Sequence, residues 1–323
     1  MNKKFFRFML VGAICMTTLG LQAQSYPNRT IVLISPVQAA SAGDISTRLI
    51  AQKMSENMGQ PIAIENLPGA AGMIGLDRIN RAKPDGYTIA SISDSTLTYV
   101  PIIQGRKNFD ALERLDPIST TVTGTWVLVA HPSLQLKSVQ DLIAYAKANP
   151  GKLNYASAGV GGSHHVAMEM FKSATNTKIE HVPYKGATAA IQDVQSGQVQ
   201  VMFSALSPIL GAVRDNRVTV LGVASLERSK ILPNIPTLTE AGVPGFIFST
   251  WGAILVPKGT PKTIADKLHA ELGKALADPV VVEKLNSAGI SPQFISPEQL
   301  RDLIRSTTSS MSKVIQNANI TSE

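Results

Sequence analysis

Ile31-Val32-Leu33-Ile34-Ser35-Pro36-Val37-Gln38-Ala39-Ala40-Ser41-Ala42-Gly43-Asp44 is the stretch whose reading decides the fold. It opens on a short apolar run, Ile31 to Ile34, which reads as a buried strand. Ser35 to Asp44 is a loop of mostly small side chains. Beyond it Ile45, Leu49, Met54 and Met58 fall on roughly one face, which predicts a helix over Ile45–Met58. Strand, loop and helix together form the opening unit of an α/β domain. The loop then lies at the carboxyl end of a strand and the amino end of a helix, where open α/β sheets bind ligands. Free backbone N–H groups and the positive helix end favour an anion there. Small side chains at Ala39, Ala40, Ser41, Ala42 and Gly43 let a ligand approach that backbone. Taken alone, the loop fits an ordinary βα turn with no ligand better.

The same pattern recurs along the chain. Ile62-Ala63-Ile64-Glu65 is a strand leading into the small-residue loop Asn66–Gly75 and a helix ending near Ala82. Gly69, Gly72 and Gly75 recur every third residue, which is not the dinucleotide fingerprint. Tyr87–Ser91 reads as a third strand, ending in the polar cluster Ser93-Asp94-Ser95-Thr96. Its hydroxyls suit a ligand carboxylate and serve a helix cap equally well. Val127–Ala130 is a strand, and Ser138 with Asp141 opens the helix Val139–Ala148. Leu153–Ser163 repeats the opening theme: a strand, a glycine-rich loop, then a helix over Ser163–Ala174. The adjacent pair His164-His165 cannot chelate one metal as a pair four residues apart can, so no metal is expected. Lys185 follows another strand end and either attracts an anion or is a surface lysine. Further strands are expected at Val199–Phe203, Val218–Ala224 and Trp251–Val256, and helices to about Ala277, at Val280–Ala288 and at Glu298–Asn317.

This alternation gives two α/β units, the second inserted into the first. Residues 24–124 and 250–323 are assigned to the first domain and 125–249 to the second. The chain would cross between them twice, near Thr123–Trp126 and Phe246–Trp251, a hinge suited to closing on a ligand.

Composition narrows the function. Of 323 residues, 44% are hydrophobic and 16% charged, as in a globular protein. Aromatics are only 5%, too few for a base-stacking surface, and no basic run marks a nucleic-acid face. Lys3, Lys4 and Arg7, then the apolar Phe8–Leu21 and Ala23, read as a secretory signal peptide over residues 1–23. Without those three cations the net charge falls from +7 to +4. The one cysteine, Cys15, lies in that segment, so the mature chain has no thiol for catalysis, disulfides or metal. A soluble, periplasmic protein is expected. No nucleophile elbow, phosphate-binding loop, metalloprotease motif or paired carboxylates stand out, so no catalytic residue, metal or cofactor is assigned.

The motifs, taken in order, resemble the Bug family, the TctC-like substrate-binding proteins of tripartite tricarboxylate transporters. They include Pro36 and Asp44, Glu65–Gly72, Pro84–Thr88, His131–Ser133, Asn154–Gly159, His181–Gly186, Gly197–Val199, Pro236-Thr237, Glu240–Gly242, Pro244–Phe246 and Trp251-Gly252. The resemblance runs from Tyr26 to about Leu303. It implies an α/β, two-domain periplasmic-binding-protein (Venus flytrap) fold without catalytic activity, a monomer that captures a small carboxylate and docks on membrane permease subunits. It places ligand contacts on Val37, Gln38, Ala39, Ala40 and Ser41, on Ser93 and Thr96, on Ser157, Ala158, Gly159 and Tyr184, and on Ser204 at the end of the Val199–Phe203 strand. The chain departs from the family where Val37 replaces an aromatic residue, Ala40-Ser41 a Gly-Gly pair and Ser204-Ala205 an Asp-Asn pair. These departures point to an acid without an amino group, larger than a simple four-carbon dicarboxylate. A sensory module docking on a membrane sensor is the alternative, followed by a secreted enzyme on the same scaffold.

Overall fold

Two sheets carry the chain, in a computed structural model that describes residues 26–106, 109–317 and 320–321. The signal-peptide assignment lies outside the described residues. The first sheet begins with β1 (Ile31–Ser35). Ile31, Leu33, Ile34 and Ser35 are all buried, because a parallel strand is covered on both faces. Helix α1 (Ala42–Met58) follows, capped by Ser41 at its start and by left-handed Gly59 at its end. It begins three residues earlier than its apolar pattern suggests. Its buried stripe runs through Thr47, Ile50, Ala51 and Met54, while Ile45, Leu49 and Met58 are only partly buried. Then come β2 (Ile62–Asn66), α2 (Met73–Ile79), β3 (Thr88–Ser93), the short helices α3 (Asp94–Thr98) and α4 (Val100–Ile103), and β4 (Leu115–Gly124). β1 pairs in parallel with β2 and β3.

Thr125 alone separates β4 from β5 (Trp126–Ala130), which belongs to the second sheet. That sheet is completed by α5 (Val139–Ala148), β6 (Asn154–Ser157), α6 (Ser163–Thr175), β7 (Glu180–Pro183), α7 (Ala187–Gln195), β8 (Val201–Ala205), α8 (Leu206–Arg214) and β9 (Thr219–Val223). Its strand order is β7-β6-β8-β5-β9. The chain returns to the first sheet with β10 (Thr250–Pro257), antiparallel to both β3 and β4. Helices α9 (Lys262–Ala277) and α10 (Pro279–Ser287), strand β11 (Ile290–Pro292) and α11 (Pro297–Asn317) finish the fold. The six-stranded order is β11-β4-β10-β3-β1-β2. At the start of α11, Ser296 and Gln299 exchange side-chain and backbone hydrogen bonds, a reciprocal cap.

The two connections between sheets lie side by side. Trp126 Nε1 donates to Thr250 Oγ1 at 2.7 Å, and the Phe248 N–H donates to the Ala224 carbonyl at 2.7 Å. This is a two-domain α/β fold with a cleft between the sheets. No helix among the described residues is long and apolar enough to cross a membrane.

Candidate functional site

A cavity of about 700 Å³ fills the cleft. Loops at the carboxyl ends of the strands of both sheets wall it, and residues of the two crossovers, among them Gly124, Trp126, Thr250 and Trp251, close its base. That volume suits a small molecule enclosed on several sides.

From the first domain come three loops. In the β1–α1 loop, Val37, Gln38 and Ser41 line the cavity. Ala39 and Ala40 do not; both are exposed. The reason is Asp44. Its carboxylate, 2% exposed, accepts from the Ala40 N–H at 2.9 Å, from Arg48 Nε at 2.8 Å and from Asn66 Nδ2 at 2.9 Å. Burial pushes this carboxyl up, but the hydrogen bonds from Arg48, Asn66 and Ala40 outweigh it and hold its pKa below the ordinary value. The anion at the start of α1 is therefore the protein's own. The loop before α2 supplies Gly69, Ala70, Ala71 and Gly72. Ala70 and Ala71 both sit in the left-handed region, at φ 46° and 51°, a strained arrangement for residues with a Cβ. Gly72, at φ 92°, has no room for a side chain: a Cβ would lie 2.6 Å from Thr96 Oγ1.

The third loop supplies hydroxyls. Ser93 Oγ lies 3.0 Å from Ser95 Oγ and 3.1 Å from Thr96 Oγ1, and Thr96 Oγ1 donates to the Ala71 carbonyl at 3.1 Å. Ser93 makes no side-chain cap on α3, so its hydroxyl belongs to the cluster on the cavity wall. Asp94 stands between them, 3% exposed. Burial pushes its pKa up to about 7, only partly offset by the N–H groups of Ser95, Trp251 and Asp94 itself. Its Oδ1 has no hydrogen-bond partner among the described residues.

In the second domain, the loop after β6 contributes Ala158 and Gly159, and α6 contributes Ser163 and His164. Ser157 is fully buried beneath this loop. Its Oγ accepts from the Gly159 N–H at 3.2 Å and pairs with His181 Nε2 at 2.6 Å. A serine–histidine pair this close resembles a nucleophile and its base, but no substrate reaches a wholly buried hydroxyl. Tyr184 lines the cavity while its hydroxyl donates to Asp193 at 2.6 Å, so it offers the cleft a ring rather than a hydroxyl. Ser204 is buried and donates to the Ala205 carbonyl at 2.9 Å; its neighbour Ala205 faces the cavity.

Val37, Gln38, Ser41, Ser93, Thr96, Ala158, Gly159 and Tyr184 thus share one cavity, whereas Ala39, Ala40, Ser157 and Ser204 do not line it. Sequence reasoning missed Trp126, His164 and Ser207 as wall residues. Trp126 carried a signal, its place at a crossover; His164 carried none beyond its helix start. Among the described lining residues, Asp94 and Lys185 are the only formally charged ones. No grouping of His, Cys, Asp and Glu suited to a metal ion occurs among the described residues.

Known proteins share this arrangement. The sequence model of the tripartite tricarboxylate transporter family receptor, TctC, matches residues 46–320. A protein of Pseudomonas sp. strain P51, described as a UPF0065 protein in the tcbD-tcbE intergenic region, is 37% identical over 96% of this chain and 93% of its own. Protein BugT of Bordetella pertussis is 33% identical over 92% of this chain and 93% of its own. Among solved structures, Rpa4515 of R. palustris with adipate superposes with a TM-score of 0.88 at 28% identity, covering 92% of this chain and 99% of that one. MatC of Rhodopseudomonas palustris with bound malate gives 0.84 at 27% identity, covering 90% and 100%. The paired sheets, the cleft between them and a family match over nearly the whole described chain lead to one conclusion: this protein belongs to the TctC family of tripartite tricarboxylate transporter receptors, the Bug proteins among them.

Proposed function

We propose that the protein is a periplasmic solute receptor that captures a small carboxylate between its two domains and delivers it to the membrane subunits of a tripartite transporter. The observation that carries this is the cavity wall. A hydroxyl cluster at Ser93, Ser95 and Thr96 faces backbone-rich loops of the second domain, with no arginine among the described residues of the wall. Hydroxyl and amide donors of this kind hold a carboxylate by hydrogen bonds, strengthened by its charge. Adipate and malate in two similar proteins support the ligand class. Val37, Gln38, Ser41, Ser93, Thr96, Ala158, Gly159 and Tyr184 are the proposed contacts, and the two crossovers are the hinge. We assign residues 125–249 to the domain that moves.

The test is a thermal-shift screen of the unfolded-and-refolded mature chain against carboxylic acids. An acid at a hundred times its dissociation constant adds about 2.7 kcal/mol. That raises the melting temperature by roughly 5–10 °C in a chain of this size. No shift with any acid would overturn the receptor reading. Tighter binding of aspartate or glutamate than of their deaminated analogues would overturn the preference for an acid without an amino group.

A further inference from the structure

Two adjacent histidines open α6, and the structure gives them different tasks. His165 turns inward. Its Nδ1 accepts from the Gly161 N–H at 2.9 Å, and its ring stacks on His181 with centroids 4.3 Å apart. His164 lines the cavity. Its ring meets the Trp126 ring edge-on, at 4.9 Å and 69°. Trp126 is itself fixed by its bond to Thr250 Oγ1 at 2.7 Å and by an edge contact with Phe248 at 5.2 Å. The imidazole is therefore held in place by packing.

No hydrogen bond takes either ring nitrogen of His164 within the described residues. Its neighbours on the wall differ in this respect. Ser163 pairs with Tyr99, Tyr184 with Asp193, and Gln38 donates to the Lys185 carbonyl. Lys185 itself is exposed, at the rim. A partly buried imidazole, rigidly placed and without a hydrogen-bond partner, is a poor structural element and a good ligand contact, because whatever enters the cavity completes it.

We infer that His164 is the residue by which the second domain reads the bound acid, its imidazole donating a hydrogen bond to a carboxylate oxygen in the cleft. This rests on the receptor reading above. Desolvation alone lowers the pKa of His164 to about 4, so the ring is neutral in the ligand-free protein and presents one N–H and one bare nitrogen. The hydroxyl cluster of the first domain then holds one end of the acid and His164 the other, which requires closure to bring both into contact.

The experiment is calorimetric titration of the wild type, His164→Phe and His164→Gln with malate, adipate and phthalate. Phenylalanine keeps the aromatic contact with Trp126 and removes both nitrogens; glutamine keeps a donor. The expected result is that the acid bound by the wild type binds His164→Phe roughly 10- to 100-fold more weakly, the range for a hydrogen bond to a charged group. His164→Gln recovers most of that loss. Both variants melt near the wild type without acid. Equal affinity of His164→Phe and the wild type would overturn the role of His164 while leaving the receptor reading intact. Equal weakening in both variants would show that packing, not hydrogen bonding, is lost, and would also overturn it. A wild type that binds none of the acids would sink the receptor reading first and this inference with it.

Discussion

Two aspartates show how local environment, not residue type, sets a charge. Asp44 is buried but bonded from three sides, and its carboxylate is stable. Asp94 is equally buried with one oxygen unpartnered, and its pKa rises from 3.8 to about 7. A carboxyl whose folded pKa lies above its unfolded value costs nothing in the acid range. The cost grows as pH rises from about 4 to 7 and is constant above. Asp94→Asn removes that cost, less the penalty of an amide N–H₂ placed where Oδ1 had no partner. The ligand-free variant is expected to gain about 1–3 kcal/mol at pH 8 and to lose about 1–3 kcal/mol near pH 4, where only the amide penalty remains. Urea unfolding across that range checks it; a gain independent of pH would show that Asp94 is not the titrating group. The pattern Ser93-Asp94-Ser95-Thr96 marked this spot as polar in the sequence. Which hydroxyls cluster, and which carboxyl is stranded among them, depends on β10 packing its Trp251 amide against the loop, and no local spacing records that.

At the scale of elements, the loop between β6 and α6 was legible as a glycine-rich turn because Gly159 and Gly161 take φ values of 130° and 78°. What stiffens it was not legible. His181 pairs with Tyr155 across β6 and β7, their rings 4.7 Å apart, and the His165 ring lies parallel to both, 4.3 Å from His181 and 6.4 Å from Tyr155. Residues this distant in sequence meet only through strand register. The same limit hid β4 and α8. Ser119 and Thr120 of β4 are buried but satisfied by bonds to the Ile295 and Gln293 carbonyls, so a core strand reads as a polar loop. Pro208 lies in the first turn of α8, where proline is tolerated, but in the sequence it reads as a break. The stack has a consequence for acid stability. Burial, then the neighbouring His165 and Lys172, lower His181 from 6.5 to about 4, and burial lowers His165 also. A histidine with a depressed folded pKa contributes stability that is present above pH 6.5 and is lost as pH falls toward 4. Unfolding free energy should drop through this window. His181→Phe keeps a ring in the stack and removes the proton, so it should flatten that slope while costing about 0.5–1.5 kcal/mol at pH 8 for the lost bond to Ser157, whose hydroxyl keeps its two bonds with Gly159. An unchanged slope in the variant would place the acid sensitivity elsewhere.

For the molecule as a whole, the structure captures the domains in contact. Gln38 Nε2 donates to the Lys185 carbonyl at 2.9 Å, and Tyr99 and Ser163 hydroxyls lie 3.1 Å apart, each pair joining one domain to the other. The Gln38 carboxamide lies where a Cβ at Gly186 would stand, so only glycine leaves it room. Gln38 sits on the cavity wall as well, which leaves two roles to separate: touching the acid or latching the rim. An exposed neutral hydrogen bond contributes about 0.5–1.5 kcal/mol, so a latch lost in Gln38→Ala should weaken binding by roughly 2- to 10-fold. A latch stabilises the closed state whatever is inside, so that factor should be the same for every acid and should appear as faster release. A direct contact would instead change the ranking of acids. The two tryptophans, Trp126 and Trp251, both border the cavity at the crossovers, so their emission reports closure in stopped-flow mixing. Uniform weakening with faster release in Gln38→Ala, and a matching loss in Gly186→Ala, would establish the latch; a reordered acid series would assign Gln38 to the ligand instead.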